Sequence, residues 1–172
     1  MKSDGSVACW GSNNYGRSTP PAGAFTQVGA GSTHTCGVKT DSVVACWGDN
    51  YYGQSTPPVG SFTQLSAGNY HTCGVKSDGS VACWGYNSFG QSTPPAGSFT
   101  QVSAGSVHTC GVKSDGNVAC WGNNDYGQST PPAGTFTQVG AESVHTCGVK
   151  TDGVVACWGL NGPGLSPGIV LP

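Results

Sequence analysis

"HTCGVKSDGSVACWG", residues His71 to Gly85, recurs almost letter for letter along the chain. Its two halves flank Ser-Asp-Gly, which is a strong signal for a β-hairpin turn. A cysteine lies on each side of the turn, and a histidine stands two places before the first cysteine. The stretch therefore predicts a hairpin with structural, redox-active or metal-binding cysteines, and the distinction decides whether the protein carries out chemistry.

The whole sequence is a tandem repeat with a period of 37 residues. Each unit alternates apolar and polar residues, breaks at turn residues, and contains a Pro-Pro pair that suits only an edge strand. Three or four antiparallel strands per unit predict an all-β fold, a β-propeller with one antiparallel blade per unit. The motif Val-Ala-Cys-Trp-Gly marks the period at Val7, Val44, Val81, Val118 and Val155.

We expect one β-propeller repeat domain over residues 1–172, with four full units and a partial fifth. The units are placed at about 1–23, 24–60, 61–97, 98–134 and 135–172. Because 172 residues are slightly fewer than five units of 37 require, three arrangements remain open. These are a five-bladed ring, an open arc, and closure between copies. The apolar tail Ile169–Leu171 is a candidate strand against a neighbouring blade or another chain.

Two hairpin registers are compatible with the turn. A two-residue Asp-Gly turn places Cys73 opposite Trp84, whereas a three-residue loop with a left-handed Gly79 places Cys73 opposite Cys83. In the second register the cysteines form a non-hydrogen-bonded pair with Cα atoms about 4.5 Å apart, within reach of a disulfide. The same count predicts the disulfides Cys36–Cys46, Cys73–Cys83, Cys110–Cys120 and Cys147–Cys157.

Cys9 stands in the column of second cysteines, and its partner column would lie before Met1. We therefore expect Cys9 to be an unpaired thiol, and we interpret the N-terminus as truncated within a hairpin. Reduced buried thiols and a metal site remain alternatives to the disulfides. A zinc site on His71 and the two hairpin cysteines would lack a fourth ligand, and no C-x₂₋₄-C knuckle is present. No metal and no cofactor are therefore expected.

The residues that repeat unchanged are interpreted as parts of the fold. We expect the histidines to be buried and bonded to neighbouring backbone, and the tryptophans to pack between adjacent blades. No catalytic triad, phosphate-binding loop or carboxylate pair can be assembled from the sequence, so the protein is predicted not to be an enzyme. These columns are His34, His71, His108 and His145, and Trp10, Trp47, Trp84, Trp121 and Trp158.

Charge and hydropathy argue against two classes of partner. The net charge is −2 and the six basic residues are dispersed, so no nucleic-acid-binding stripe is present. No run approaches the ~18 apolar residues of a membrane span, so no membrane insertion is expected. The N-terminus lacks the apolar core of a signal peptide, but the paired cysteines favour an extracellular or cell-surface location.

Residues that vary between the units lie in predicted loops, where a binding surface is most easily accommodated. Tyr51, Tyr70 and Tyr86 with Asp49 would form an aromatic, weakly acidic patch suited to protein or glycan contacts. The alternative is neutral variation on exposed loops. Three further candidates for the binding loops are Asn69, Asn123 and Asp125.

The stretch "AGSVHTCGVKSDGNVACWGNNDYGQ", residues Ala104 to Gln128, resembles the regulator of chromosome condensation repeat family. The shared pattern is Ala-Gly, a histidine, a Gly-rich hairpin, and Trp-Gly-x-Asn-x-x-Gly-Gln. The short unit is similar to bacterial members, including the propeller-type inhibitor of β-lactamases. The resemblance implies propeller blades, in sevens in known relatives, and a protein-binding scaffold. The wedge insertion and charged surfaces of the eukaryotic exchange factor are not found here.

The sequence thus predicts a non-enzymatic, extracellular β-propeller scaffold for protein–protein binding or self-assembly. The protein partner is unknown, and copies of the chain could also associate through unpaired blade edges. One alternative is a self-assembling structural surface or filament component. Another is a cytoplasmic regulator resembling a small-GTPase exchange factor, which would have reduced cysteines.

Overall fold

The computed structural model describes residues 1–160, which form four three-stranded antiparallel sheets. Each sheet follows chain order, with the strand His-Thr-Cys-Gly-Val-Lys in the middle. The segment before the first sheet contains one 3-10 turn, Asn14–Gly16. The strands are β1 Phe25–Ala30, β2 His34–Lys39, β3 Val44–Gly48, β4 Phe62–Ala67, β5 His71–Lys76, β6 Val81–Gly85, β7 Phe99–Ala104, β8 His108–Lys113, β9 Val118–Gly122, β10 Phe136–Ala141, β11 His145–Lys150 and β12 Val155–Gly159.

The all-β fold with repeated propeller blades is confirmed over these residues, which carry three strands per unit rather than four. The segment containing the Pro-Pro pair forms no strand in residues 49–61, because each proline lacks the N–H that a ladder requires. Within residues 1–160 the four blades form an open array. The candidate strand Ile169–Leu171 lies outside the described residues. No helix in the described part of the chain is long and apolar enough to cross a membrane.

The hairpin between the second and third strands has the three-residue loop. Lys76 N donates to the Ser80 carbonyl at 2.8 Å, and Gly79 closes the turn with φ of 82°. A residue without a side chain adopts this left-handed conformation at little cost. Ser42 occupies the same position in the first hairpin, with φ of 67°. The register that places Cys73 opposite Cys83 is the observed one.

A β-bulge lets the first strand of each blade bury two residues that simple alternation would separate. In β4 the register shifts between Phe62 and Gln64, so that Phe62 and Leu65 are both buried. Without the bulge, residues three apart would point to opposite faces of the sheet. The bulge therefore gives the blade one continuous apolar face, and the same shift occurs in the other three blades.

The core consists of three equivalent apolar layers between successive blades. In the first layer, Cys36 and Val38 of one blade face Phe62, Leu65 and Trp84 of the next. The Phe62 and Trp84 rings meet edge to face, 6.0 Å apart. Burying each side chain of this size stabilises the fold by about 1.5–3 kcal/mol. The second and third layers repeat the arrangement one and two units further on.

The tryptophans of the last three blades pack between blades as expected, but Trp10 does not. Trp84 is buried, and its indole N–H donates to the Gln54 carbonyl at 2.9 Å. Trp10 is 87% exposed, and residues 7–11 form no strand. Residues 1–9 contain no phenylalanine strand on which the ring of Trp10 could pack.

Candidate functional site

The cysteines of the hairpins are joined in disulfides within each blade. Their Cα atoms lie 4.0 to 4.1 Å apart, and Cys9 is a free, half-buried thiol. Among residues 1–160, no three His, Cys, Asp or Glu side chains lie close enough to hold a metal ion. Each disulfide joins the second and third strands of one blade covalently, and the oxidised cysteines have no free thiolate to offer. The bonds are Cys36–Cys46, Cys73–Cys83, Cys110–Cys120 and Cys147–Cys157.

The histidines bind the next blade rather than nearby backbone, which corrects the sequence-based expectation. His34 Nε2 lies 2.7 Å from Thr72 Oγ1, and the contact recurs at the next two junctions. The threonine of the following blade reaches the ring because both side chains are buried at the junction. Burial lowers the pKa of His34 and His108 to about 4. Burial, with the neighbouring histidines, lowers the pKa of His71 to about 3.

A buried glutamine that the sequence analysis missed organises the loop after each blade. The Gln54 side chain is fully buried, and its Oε1 accepts a hydrogen bond from Tyr52 N at 2.8 Å. Its backbone carbonyl accepts from the Trp84 indole and from Thr72 Oγ1 of the next blade. Gln91 and Gln128 do the same one and two units later. The sequence did contain a signal for this role, because the same glutamine recurs at this position in three successive units.

Five aromatic side chains meet at the loop end of the junction between the first and second blades. Tyr52 is central, with its ring centroid 4.8 Å from Tyr51, 5.6 Å from Tyr70 and 4.8 Å from Tyr86. Phe89 extends the group, 6.4 Å from Tyr86. Tyr51 is 83% exposed, and Tyr52, Tyr70 and Phe89 are also exposed. We call these five residues the aromatic cluster.

The structure brings together Tyr51, Tyr70 and Tyr86, which the sequence analysis had grouped, and adds Tyr52 and Phe89. Tyr52 and Phe89 precede the Gly-Gln of their units, where every described unit has an aromatic residue. An aromatic residue repeated in this way resembles a fold residue, so it was not proposed as part of a surface. Tyr52 lies close to Tyr70 because the next blade packs beside its loop, and this packing cannot be read from the sequence.

The polar candidates mainly hold the loops in shape. The Asp49 carboxylate accepts hydrogen bonds from Tyr51 N and from the Gln54 side chain, at 3.1 and 2.9 Å. Asn69 Nδ2 donates to Ser106 Oγ of the next blade at 2.9 Å. Asn123 and Asp125 bond each other at 2.8 Å, in a loop that makes none of the ring contacts of the aromatic cluster.

The loop end that carries the aromatic cluster has little charge. The five lysines of the sequence lie at the turn ends of the hairpins, as Lys76 does at the end of β5. Tyr70 lies just before the start of β5, and Lys76 lies at its end. The loop end and the turn end of the blade are therefore roughly 20 Å apart at ~3.4 Å per residue. Arg17 lies at the loop end, but its guanidinium donates to Ser12 and Ser32 at the preceding junction. The cluster is therefore aromatic, exposed and nearly neutral.

A second concave surface follows the inner edges of the blades. This groove has a volume of about 470 Å³ and is lined by an Ala-Gly-Ser or similar triplet from each blade. Hydrogen bonds join the triplets, as where Ser106 N donates to the Glu142 carbonyl at 3.1 Å. Glu142 replaces the glycine of the other units and is exposed. A groove of backbone groups and hydroxyls with one carboxylate offers few side chains for recognition.

Three-stranded antiparallel blades, stacked face to face and repeated every 37 residues, define the chain as an array of β-propeller blades. The Regulator of chromosome condensation (RCC1) repeat matches three segments, residues 25–54, 62–91 and 99–128. Together they cover just over half of the 172 residues. The chain belongs to the RCC1 repeat family. No curated protein matches this sequence at a significant level.

Solved structures of two plant receptor kinases are similar to this chain. The CRINKLY WD40 ectodomain of ACR4 from Arabidopsis thaliana is 32% identical, with a TM-score of 0.69 over 83% of this chain and 52% of that one. The ectodomain of CR4 from Physcomitrella patens is 26% identical, with a TM-score of 0.80 over 96% of this chain and 49% of that one. The chain thus spans about half the length of these relatives.

Yeast RCC1 (Prp20), solved bound to Kap60, shares the fold. It is 18% identical, with a TM-score of 0.70 over 82% of this chain and 45% of that one. At this identity the likeness extends to the architecture of the blades alone.

Proposed function

We propose that this protein is a non-enzymatic, extracellular scaffold that binds a protein partner through the aromatic cluster. The observation that carries the proposal is the cluster itself, five aromatic side chains in contact at one loop end. Contiguous exposed apolar surface is costly in a soluble protein and commonly marks an interaction site. Tyrosine is enriched at protein interfaces, because its ring buries apolar area while its hydroxyl stays paired.

The rigidity of the scaffold supports a binding role. The loop of Tyr52 is fixed by the buried Gln54, whose side chain also holds the Asp49 carboxylate. Tyr70 and Tyr86 lie on the next blade, so the packing between blades sets their positions relative to Tyr52. A preorganised surface loses less conformational entropy on binding than a flexible one.

The disulfides support an extracellular location. Such bonds persist in oxidising compartments and are usually reduced in the cytosol. The protein has four of them, so the cysteine pair of every described blade is oxidised. Receptor-kinase ectodomains are among the solved relatives.

The environment of the histidines supports a role without catalysis. A general base works best with a pKa near the operating pH and with access to the substrate. Burial lowers the pKa of His34 and His108 to about 4, and both rings are occupied with threonines of the next blade. The same arrangement in successive blades is typical of a structural contact.

Site-specific photo-crosslinking on intact cells tests the proposal. A benzophenone amino acid at position 51, where the side chain is 83% exposed, is expected to give a discrete adduct with one protein. The same amino acid at position 126 is the matched control, since Tyr126 is 53% exposed in the loop of a later unit. Adducts of equal yield at both positions, or none at position 51, would contradict a binding surface here.

The location is tested separately by counting free thiols. Protein recovered from its native source without reductant is unfolded, alkylated and weighed. One modified cysteine, mapped to Cys9, is the expected result. Nine modified cysteines would contradict the extracellular location and favour the cytoplasmic regulator.

A further inference from the structure

The rings of the aromatic cluster cross at steep angles rather than forming one flat platform, and we call the corners between their faces slots. Tyr52 crosses Tyr51 at 88°, Tyr70 at 67° and Tyr86 at 56°. Rings that cross steeply at centroid distances of 4.8 to 5.6 Å are in contact, so their faces meet at wedge-shaped corners. A flat ligand such as a sugar ring stacks best on an open ring face, whereas a wedge accepts a compact, ridged one.

The charge of the surroundings restricts the ligand further. The only carboxylate in the loop of Tyr51 and Tyr52 is that of Asp49, and both of its oxygens accept hydrogen bonds from within the loop. The lysines lie at the opposite, turn ends of the blades. An acidic ligand would therefore lose its hydration without gaining a counter-charge. A basic ligand would meet only ring faces and a carboxylate whose oxygens already accept hydrogen bonds. Electrostatic complementarity favours an uncharged ligand.

The four tyrosines of the cluster supply hydroxyl groups, which can both donate and accept hydrogen bonds. Tyrosine hydroxyls can donate to a carbonyl while their rings pack against apolar groups. A polyproline II segment has no internal hydrogen bonds, so its carbonyls are free to accept, and its pyrrolidine rings project as ridges. Aromatic-lined grooves recognise such segments in other proteins because little conformational entropy is lost on binding.

The slots occur once in the described array. The positions of Tyr52, Tyr70 and Tyr86 are taken by Phe89, Val107 and Asn123 at the next junction. One junction further on they are taken by Tyr126, Val144 and Leu160. Neither set places three aromatic side chains at one junction, so the surface predicts a single ligand site.

We infer that the aromatic cluster binds an uncharged, proline-rich segment of a partner protein in the polyproline II conformation. The slots between Tyr52 and its neighbours receive the pyrrolidine rings, and the tyrosine hydroxyls donate to the carbonyls of the segment. This inference rests on the proposed protein-binding function and names the kind of partner it fits.

Titration with a blocked decaproline peptide, followed by nuclear magnetic resonance of the full chain, tests the inference. Saturable shifts are expected for the loops of the aromatic cluster, with one peptide per chain. Tyr52→Ala is expected to weaken binding at least tenfold, because it removes the central ring. Tyr126→Ala is the control, since Tyr126 makes the same backbone contact to its glutamine as Tyr52 does. Unchanged binding in Tyr52→Ala, or no saturation by wild type, would overturn the inference.

Two parallel measurements distinguish other occupants. Neutral oligosaccharides that bind in a Tyr52-dependent manner, where decaproline does not, would overturn the peptide inference in favour of a glycan. A concentration-dependent dimer that Tyr52→Ala abolishes would overturn a foreign partner in favour of the Ser-Thr-Pro-Pro segments of a second copy. A crosslinked protein at position 51 without peptide binding would overturn this inference alone and leave the proposed function standing.

Discussion

Single glycines at the inner edge of the blades set how closely neighbouring blades approach. Any Cβ at Gly31, Gly68 or Gly105 would overlap the carbonyl oxygen of the equivalent residue in the next unit. The same carbonyl accepts a hydrogen bond from the residue that follows the glycine, as from Ser106 N to the Glu142 oxygen. Glycine is therefore required by the close approach of two backbones. Glu142 has a side chain at the equivalent position of the fourth blade.

Gly105→Ala is expected to lower the free energy of unfolding by about 3 kcal/mol, because the new methyl group collides with backbone that cannot move aside. Gly140→Ala is the matched control, since a Cβ at Gly140 meets nothing within 4 Å. Denaturation in urea measures both. Equal losses in the two variants would mean that the effect comes from general backbone stiffening.

Acidification is expected to destabilise the protein between pH 6.5 and 4. The unfolded chain takes up protons on its histidines near pH 6.5, whereas the folded chain holds the pKa of His34 and His108 at about 4 and that of His71 at about 3. The contribution of these three histidines to stability is therefore largely retained above pH 6.5 and falls below it, by about 1 kcal/mol per histidine at pH 5.5.

Urea midpoints measured from pH 8 to 5 test the effect of pH. The pKa values of Asp4, Asp78 and Asp115 are lowered mainly by hydrogen bonds within their own turns. Protonation of these carboxylates therefore affects stability only at a lower pH than protonation of the histidines. A urea midpoint that stays constant down to pH 5 would show that the histidines are accessible to protons in the folded state.

At the scale of the element, the hairpin was largely readable from the sequence. The Asp-Gly turns predicted the two strands of the hairpin, and the spacing of Cys73 and Cys83 fitted one of the two registers that the turn allows. The bulge at Phe62 was not readable, because the choice between Gln64 and Leu65 as the buried residue depends on the facing blade. The partner of His34 was missed for the same reason, since Thr72 lies one unit away in the sequence.

Each disulfide is expected to stabilise its hairpin by about 3 kcal/mol, because it limits the conformations of the unfolded chain. The double variant Cys110→Ser with Cys120→Ser removes one bond without leaving a lone thiol. Thermal denaturation of this variant and of the control Cys9→Ser gives the comparison. A double variant as stable as Cys9→Ser would assign the stability of the blade to its packing.

A glutamine side chain joins each of the first three blades to the next by hydrogen bonds to its backbone. Gln101 Nε2 donates to the Val139 carbonyl at 2.7 Å, and Val139 N donates to Gln101 Oε1 at 2.8 Å. Gln101→Ala is expected to cost about 1–3 kcal/mol, because it leaves both groups of Val139 unpaired. Gln138→Ala, at the exposed equivalent position in the fourth blade, is expected to stay within about 0.5 kcal/mol of wild type. Urea denaturation measures both variants. Equal losses of unfolding free energy would contradict a role of the Gln101 hydrogen bonds in joining the blades.

At the scale of the whole molecule, the blades have unequal support. The middle strand β8 has five buried residues in succession, whereas its counterpart β11 in the fourth blade is only partly buried. Amide hydrogen exchange is therefore expected to be at least tenfold faster in β11 than in β8, since local opening depends on packing on both faces. Equal exchange rates would indicate that the array opens as one cooperative unit.

The aromatic cluster shows where sequence reasoning ends at this scale. Tyr51, Tyr70 and Tyr86 were grouped because they vary between units, and variation between units is visible in one sequence. Tyr52 was missed because it belongs to a repeated aromatic column, and only the stacking of two blades reveals that it joins Tyr51 to Tyr70.

The disulfides also determine how far the chain lengthens when it is pulled. Each bond spans 10 residues of a 37-residue unit, which leaves 27 residues that tension can draw out while the bond is intact. At ~3.4 Å per residue, an oxidised unit extends to roughly 90 Å and a reduced one to roughly 125 Å. Under tension, oxidation would therefore keep the chain short and its hairpins looped even after the blades had separated.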